Sequence, residues 1–213
     1  MKTDELVAAL SMNVEPVNHR RVNRIVGIAL AIGTVIALGL TLLGLGIRAD
    51  LTTPRAAMFL FLKIAFALAI VGVASAYLSR LVRPGGERRV SLGLAAMPFV
   101  AIILLAAISL GQAPSSHWDR MMMGDKWLEC LISIPIIAIV PFAAIILAAR
   151  RAAPTNLVRA GAFSGLAAGG VSAIAYALHC TDDSLPFVAL WYGGTIVLCT
   201  LAGAALGPRL LRW

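Results

Sequence analysis

The sequence predicts an all-α integral membrane protein, a bundle of six transmembrane helices with both termini in the cytoplasm. Three observations predict it. Hydrophobic residues make up 60% of the 213 positions and charged residues only 13%. The apolar residues gather into six runs, 25–47, 56–78, 90–110, 130–149, 160–179 and 187–206. Each meets or nearly meets the roughly 20 residues that cross a hydrocarbon core about 30 Å thick. A soluble core of this size would instead show amphipathic stripes with polar faces.

The third observation is the charge between the runs. Lys2, Arg20, Arg21 and Arg24, then Arg80, Arg83, Arg88 and Arg89, then Arg150, Arg151 and Arg159, then Arg209 and Arg212 fall in alternate connections and hold thirteen of the 18 basic residues. The opposite connections hold Arg48, Arg55, Arg120 and Lys126, together with six of the ten acids, and Lys63 lies inside a run. Cytoplasmic loops are enriched in Lys and Arg, so the basic set, and with it both termini, is expected inside. The net charge of +8 is thereby a topology signal. Its spread over four short segments leaves no patch for direct nucleic-acid binding.

Residues 1–23 form the extramembrane segment, and 24–213 the membrane domain. The start is mixed and polar, and the run after it is longer than the roughly 7–15 residues of a signal-peptide core, so the segment is expected to stay attached. Thr3 is a candidate N-cap, with Asp4 and Glu5 in a first turn where negative charge suits the helix dipole. Leu6, Val7 and Leu10 give the helix one apolar face, and Pro16 ends it. So short a helix is marginal alone in water and needs a bilayer or protein surface. Acids on its polar face, where an anionic-lipid binder would carry Lys and Arg, favour a protein.

The first membrane helix carries Gly27, Gly33, Gly39, Gly44 and Gly46, which let backbones approach closely. In the second, Lys63 sits about eight residues from the outer end, roughly 12 Å deep at 1.5 Å per residue. The ordinary reading is a lysine snorkelling to the outer headgroups; the other is an internal partner for an outer acid. Arg83-Pro84-Gly85-Gly86 is a cytoplasmic turn signal. The longest outer connection, 111–127, places Trp118 and Trp127 at interfacial depth. Pro135 and Pro141 are expected to kink the fourth helix. Gly161, Gly165 and Gly169 in the fifth helix, with Gly203 and Gly207 in the sixth, predict close packing between these helices or with a second copy, which leaves a homodimer open. No internal repeat is evident, against the pattern of secondary transporters.

Three cysteines are present. Cys199 lies mid-helix as a small apolar residue. Cys130 opens the fourth helix and Cys180 closes the fifth, so the up-down threading brings both to the outer face. Their neighbours are polar: Glu129 beside one, His179, Asp182 and Asp183 beside the other. Three readings stand together. A structural disulfide needs Cα atoms within about 7 Å. A redox-responsive pair needs thiolate character, helped by Lys126 or Lys63 and opposed by the acids. A transient thiophilic metal ion is the third, held by the Cys130 and Cys180 thiolates with His179 or a carboxylate. No obligatory cofactor is expected. The absence of CxxC, HExxH, a Walker loop or a dinucleotide fingerprint leaves enzymatic readings without a motif.

Several segments together resemble the NrsF family of membrane anti-sigma factors. They are Met1-Lys2-Thr3-Asp4-Glu5-Leu6-Val7-Ala8-Ala9-Leu10, Lys63 in the second helix, Arg83-Pro84-Gly85, and Trp127 three residues before Cys130. The most specific are Tyr176-Ala177-Leu178-His179-Cys180-Thr181-Asp182-Asp183-Ser184 and the end Gly203-Ala204-Ala205-Leu206-Gly207-Pro208-Arg209-Leu210-Leu211-Arg212-Trp213. The resemblance implies a regulator of an extracytoplasmic-function sigma factor in a proteobacterial inner membrane. It implies that the sigma factor is held at the lipid bilayer, with Asp4, Leu6, Val7 and Leu10 the candidate contacts. It further implies that a cysteine pair, carried onto Cys130 and Cys180, is required for release under heavy-metal or oxidant stress; Cys199 falls in no family motif. The competing function is a membrane thiol redox enzyme or small transporter. Widely separated cysteines and a single intramembrane charge, Lys63, disfavour it.

Overall fold

The structure is a computed structural model and describes residues 3, 7, 19–81, 92–151 and 154–212. Its long helices are α1 (His19–Gly44), α2 (Pro54–Leu81), α3 (Leu92–Gln112), α4 (Trp127–Arg150), α5 (Leu157–Ala177) and α6 (Gly193–Leu210). All six contain a stretch long and apolar enough to cross a membrane, and no strand occurs among the described residues. Between α3 and α4 the chain makes a 3-10 turn at Ser115–His117 and a short helix at Trp118–Met123. A further turn at Leu185–Phe187 and a π-helical turn at Val188–Tyr192 lead into α6.

Helix α5 is the hub. It packs against α6, α2, α4 and α1, and 72% of its most apolar stretch is buried, against 28% for α1 and 11% for α3. Its composition explains this. Small residues such as Ala160, Gly161, Ser164, Gly165, Ala167 and Ala168 line it and let backbones approach where larger side chains would hold them apart. A Cβ placed on Gly161 would collide with the Gly203 carbonyl and lie 2.6 Å from the Gly207 Cα, and one on Gly203 would lie 3.0 Å from the Gly165 Cα. The expected glycine seam is thus formed within one chain. Cys199 belongs to it: its carbonyl faces Gly165 and its side chain rests near Gly169, a packing role as the sequence suggested.

Pro135 and Pro141 lie inside one unbroken helix of 24 residues. Pro141 is a packing surface: a Cβ on Gly33 of α1 would stand 3.0 Å from its Cα and Cβ. Helix α3 lies at the periphery, touching α2 and the 185–192 segment. It turns Leu94, Met97, Val100, Ile103, Leu104 and Ile108 outward, the face expected of a helix bathed in lipid.

Candidate functional site: a thiol pair beneath an ion-paired cap

The site lies at the end of the bundle where the α1–α2, α3–α4 and α5–α6 connections meet. Helix α5 stops at Ala177, and the amides of His179 and Cys180 both donate to the Tyr176 carbonyl, at 2.9 and 3.1 Å. That closing turn points Cys180 into the bundle. The chain then runs extended to Ser184, whose hydroxyl accepts from the Phe187 amide at 3.2 Å and caps the next turn, as a serine N-cap should. The π-helical turn inserts one extra residue into the helix, a device that re-aims side chains and is frequent at functional sites; it buries Tyr192 completely.

Arg48, in the α1–α2 connection, is the centre of the cap. Its side chain is fully buried and donates in two directions. Nε and Nη2 reach Asp50 at 2.6 and 2.8 Å, while Nη1 and Nη2 reach Asp183 at 3.0 and 2.6 Å. The Asp50 carboxylate and then Asp183 hold the guanidinium above its already high pKa, and the Arg48 hydrogen bond holds Asp50 below the usual carboxylate range. Lys63 completes the group. Its ammonium donates at 3.1 Å to Asp183 and at 3.1 Å to the Cys180 carbonyl, which also accepts from Arg48 Nη1 at 3.0 Å.

The snorkelling reading of Lys63 is therefore corrected. Its side chain is completely buried and points into the bundle, over the Tyr192 ring at 5.8 Å. The physical reason is that Asp183 and a carbonyl satisfy the ammonium where it stands, whereas an unpaired charge at that depth would have to climb to water.

Two further links draw the cysteine-bearing segments together. His179 Nε2 lies 2.7 Å from Glu129 Oε1 and Nδ1 lies 3.2 Å from the Gly46 carbonyl, while Lys126 donates to Glu129 Oε2 at 2.7 Å. Asp182 accepts from the Asp125 and Lys126 amides at 3.2 and 2.7 Å, and Ser184 donates to the Met121 carbonyl at 2.6 Å. Gly124 is required here. Its φ of +59° favours glycine, and a Cβ would stand 2.7–2.8 Å from Phe187 and Asp182. The methionine run engages through its backbone, with Trp191 Nε1 donating to Met122 at 2.9 Å.

Beneath this cap Cys130 and Cys180 are both fully buried and unbridged, and Lys63 and Asp182 are among the groups that act on both electrostatically. Burial pushes the Cys180 thiol above its ordinary value of 9.0; the Lys63 ammonium and the Asp182 amide work against that push. Tyr192 also lies beside the Cys180 sulfur, without meeting the geometry of a full hydrogen bond. Its hydroxyl and that of Tyr176, both buried, have no hydrogen-bond partner among the described residues.

No three His, Cys, Asp or Glu side chains among the described residues are arranged to hold a metal ion.

All five neighbours expected from the sequence, Glu129, His179, Asp182, Asp183 and Lys63, meet in this cap. Sequence reasoning missed Arg48, counted there only as an outer basic residue, and the two tyrosines. The signal for Arg48 was its place two residues before Asp50 in a very short connection. Of the candidate docking residues, Val7 is helical and exposed; Asp4, Leu6 and Leu10 lie outside the described residues, as does the Arg83-Pro84-Gly85-Gly86 turn.

Fold and site define a small helical protein with six helices apolar enough to cross a membrane and two buried cysteines beneath a salt-bridged cap. Residues 10–213 match the family model described as negative regulator of sigma F, NrsF, and the chain belongs to that family. It is 28% identical over 213 residues to the probable anti-sigma-F factor NrsF of Azospira oryzae and 33% identical over 220 residues to the anti-sigma-F factor NrsF of Caulobacter vibrioides; 100% of both chains is covered in each comparison. No solved structure matches the chain.

Proposed function

We infer that this protein is an anti-sigma factor of a bacterial inner membrane, with six spans and both termini in the cytoplasm. Residues 1–23 hold an extracytoplasmic-function sigma factor through Asp4, Leu6, Val7 and Leu10. The domain 24–213 releases it when Cys130 and Cys180, facing outward, change chemical state. The protein acts by holding and releasing a partner and is not an enzyme.

The observation that carries this reading is the burial of Cys130 and Cys180 under one cap, in which Glu129 and His179, their immediate neighbours, lie 2.7 Å apart. A thiol pair sealed in this way responds only to an agent that opens or crosses the cap. The outer face, if it opens onto a periplasm, is oxidising enough for thiol chemistry to persist. A cavity of about 340 Å³ lies beside the cap, lined by Arg55, His117, Arg120, Asp125, Asp182 and Ser184 among others, and neither cysteine lines it. The two thiols are also the groups that would hold a transient soft metal ion.

Docking is tested by co-purification of the sigma factor with the full chain and with a form lacking the first 15 residues. Retention is expected only with the full chain. A truncated form that retains the sigma factor at full strength would move the contact elsewhere. Leu6→Asp and Leu10→Asp sharpen the test, since a charge on the apolar face opposes burial in any protein groove.

A further inference from the structure

We propose that α1 is the output element of the cysteine site: the clamp that Arg48 and Gly46 place on residues 178–183 delivers any displacement of the Cys180 segment to α1, and α1 carries it to the docking segment at its other end. The proposal rests on the reading above, in which Cys130 and Cys180 receive the signal.

The fastening is dense. Within four residues after α1, the Arg48 amide donates to the Leu178 carbonyl at 3.1 Å and the Gly46 carbonyl lies 3.2 Å from His179 Nδ1. The Arg48 side chain binds both the Cys180 carbonyl and the Asp183 carboxylate. The link to the helix has little slack. Leu45 and Gly46 amides both donate to the Thr41 carbonyl, at 2.9 and 3.0 Å, with Gly46 at φ +80°, a tight left-handed helix close. A shift of residues 178–183 therefore acts on the end of α1 instead of being absorbed in a loop.

Mobility decides which helix answers. The obvious alternative route runs through α4 and α5, since these bear the cysteines. Helix α5, however, is 72% buried in its apolar stretch and locked to α6 by backbone-to-backbone contact at Gly161, Gly165, Gly203 and Gly207. It is the fixed part of the bundle. Helix α1 is 28% buried and turns Ile28, Ile32, Val35, Leu40 and Leu43 outward, where only lipid would resist sliding. Its close approach to Pro141 at Gly33, near the middle of its 26 residues, provides a pivot. At 1.5 Å per residue the helix is about 39 Å long, enough to join the two faces of a bilayer. Its inner end, His19, follows directly on residues 1–18. Lys63 ties α2 to the same carbonyl, but the inner end of α2 does not lead to the docking segment.

The test uses full-length protein with bound sigma factor in native membrane vesicles, treated with cadmium chloride in one arm and diamide in another. Arg48→Met removes the fork and leaves both cysteines in place. Its thiols are expected to be consumed at least as fast as in the natural chain, followed in a thiol assay, while the fraction of sigma factor released falls about tenfold, within the range of ordinary allosteric couplings. Release at the natural level with the thiols consumed would overturn the α1 route. The Cys130→Ser/Cys180→Ser double variant separates the two ideas: if it still releases the sigma factor, the cysteine reading itself is lost; if it does not, and Arg48→Met does, only the route is. Should Arg48→Met fail to accumulate, hydrogen exchange on the natural protein decides. Amides 41–48 are expected to exchange faster after treatment, and unchanged exchange there overturns the route.

Discussion

Arg48 and Asp183 stand 135 residues apart and meet as a two-pronged ion pair, Nη1 to Oδ1 at 3.0 Å and Nη2 to Oδ2 at 2.6 Å. Lys63 shares the same carboxylate, so one nearly buried aspartate answers two buried cations. Asp50, nearly half exposed, supplies the remaining negative charge. Removing Asp183 leaves Lys63 with only the Cys180 carbonyl among the described residues, and Arg48 with Asp50 and that same carbonyl. Asp183→Leu is expected to destabilise the folded protein by about 3–5 kcal/mol, the usual result of breaking a buried pair from one side. Thermal denaturation in detergent micelles reads it, and adding Arg48→Met to the same chain is expected to recover part of the loss.

The α5–α6 seam has no room for a methyl group. Gly203→Ala is expected to cost about 1–3 kcal/mol by overpacking, because its Cβ would meet the Gly161 carbonyl. Gly27→Ala, with nothing within 4 Å of the new atom, is the matched control and is expected to be neutral or slightly stabilising. Equal melting temperatures for the two variants would contradict the seam.

Cys180 gives a prediction about pH. Burial raises its pKa above 9.0 in the folded protein, so the folded state keeps its proton where an unfolded chain has begun to lose it. The sign follows from that. The contribution to stability is intact below 9.0 and drains away as pH climbs through the raised value. Alkylation of Cys180 by iodoacetamide is accordingly expected to keep accelerating past pH 9.0. Lys63→Met removes the positive charge that opposes the rise, and is expected to move the profile further upward; a downward move would show that Lys63 does not act on this thiol.

Signalling separates the three cysteines. Cys130→Ser and Cys180→Ser are each expected to abolish sigma-factor release by thiophilic metal or oxidant while sigma binding persists, because serine keeps the size and loses the thiol chemistry. Cys199→Ser is expected to release normally, since that residue packs in the α5–α6 seam. Release assays on washed membranes provide the comparison.

Orientation is checked with reporter fusions. Those at 1, 85, 155 and 213 are expected to report the cytoplasm and those at 50, 118 and 183 the outside. A cytoplasmic signal at 118 would place both cysteines in a reducing compartment and remove the basis of the sensing reading.

How much of this could be read from residues varies by kind of interaction. The six spans were legible because transfer of apolar side chains is additive and local, and every run carries its own signal. The glycine seam was legible for the same reason, at four-residue spacing along Gly161, Gly165 and Gly169. That Cys130 and Cys180 lie at the same end of the bundle followed from threading alone. Lys63 showed as an anomaly, but its partner did not. Asp183 was one of six acids on that side, and choosing among them depends on where the chain beyond α5 turns. Arg48 looked like one of several loop cations. Tyr176 and Tyr192 looked like ordinary aromatic residues, and the inward aim that a π-helical turn gives Tyr192 leaves no compositional trace.

The distance in sequence between Lys63 and Asp183, 120 residues, has a consequence for biogenesis. Synthesis completes α2 long before Asp183 has been translated, whereas Arg48 has Asp50 only two residues on. Until the chain beyond α5 folds back, Lys63 lacks the carboxylate that it meets in the finished protein, so closure of the cap is the step that gives Lys63 its counter-ion and Arg48 its second one.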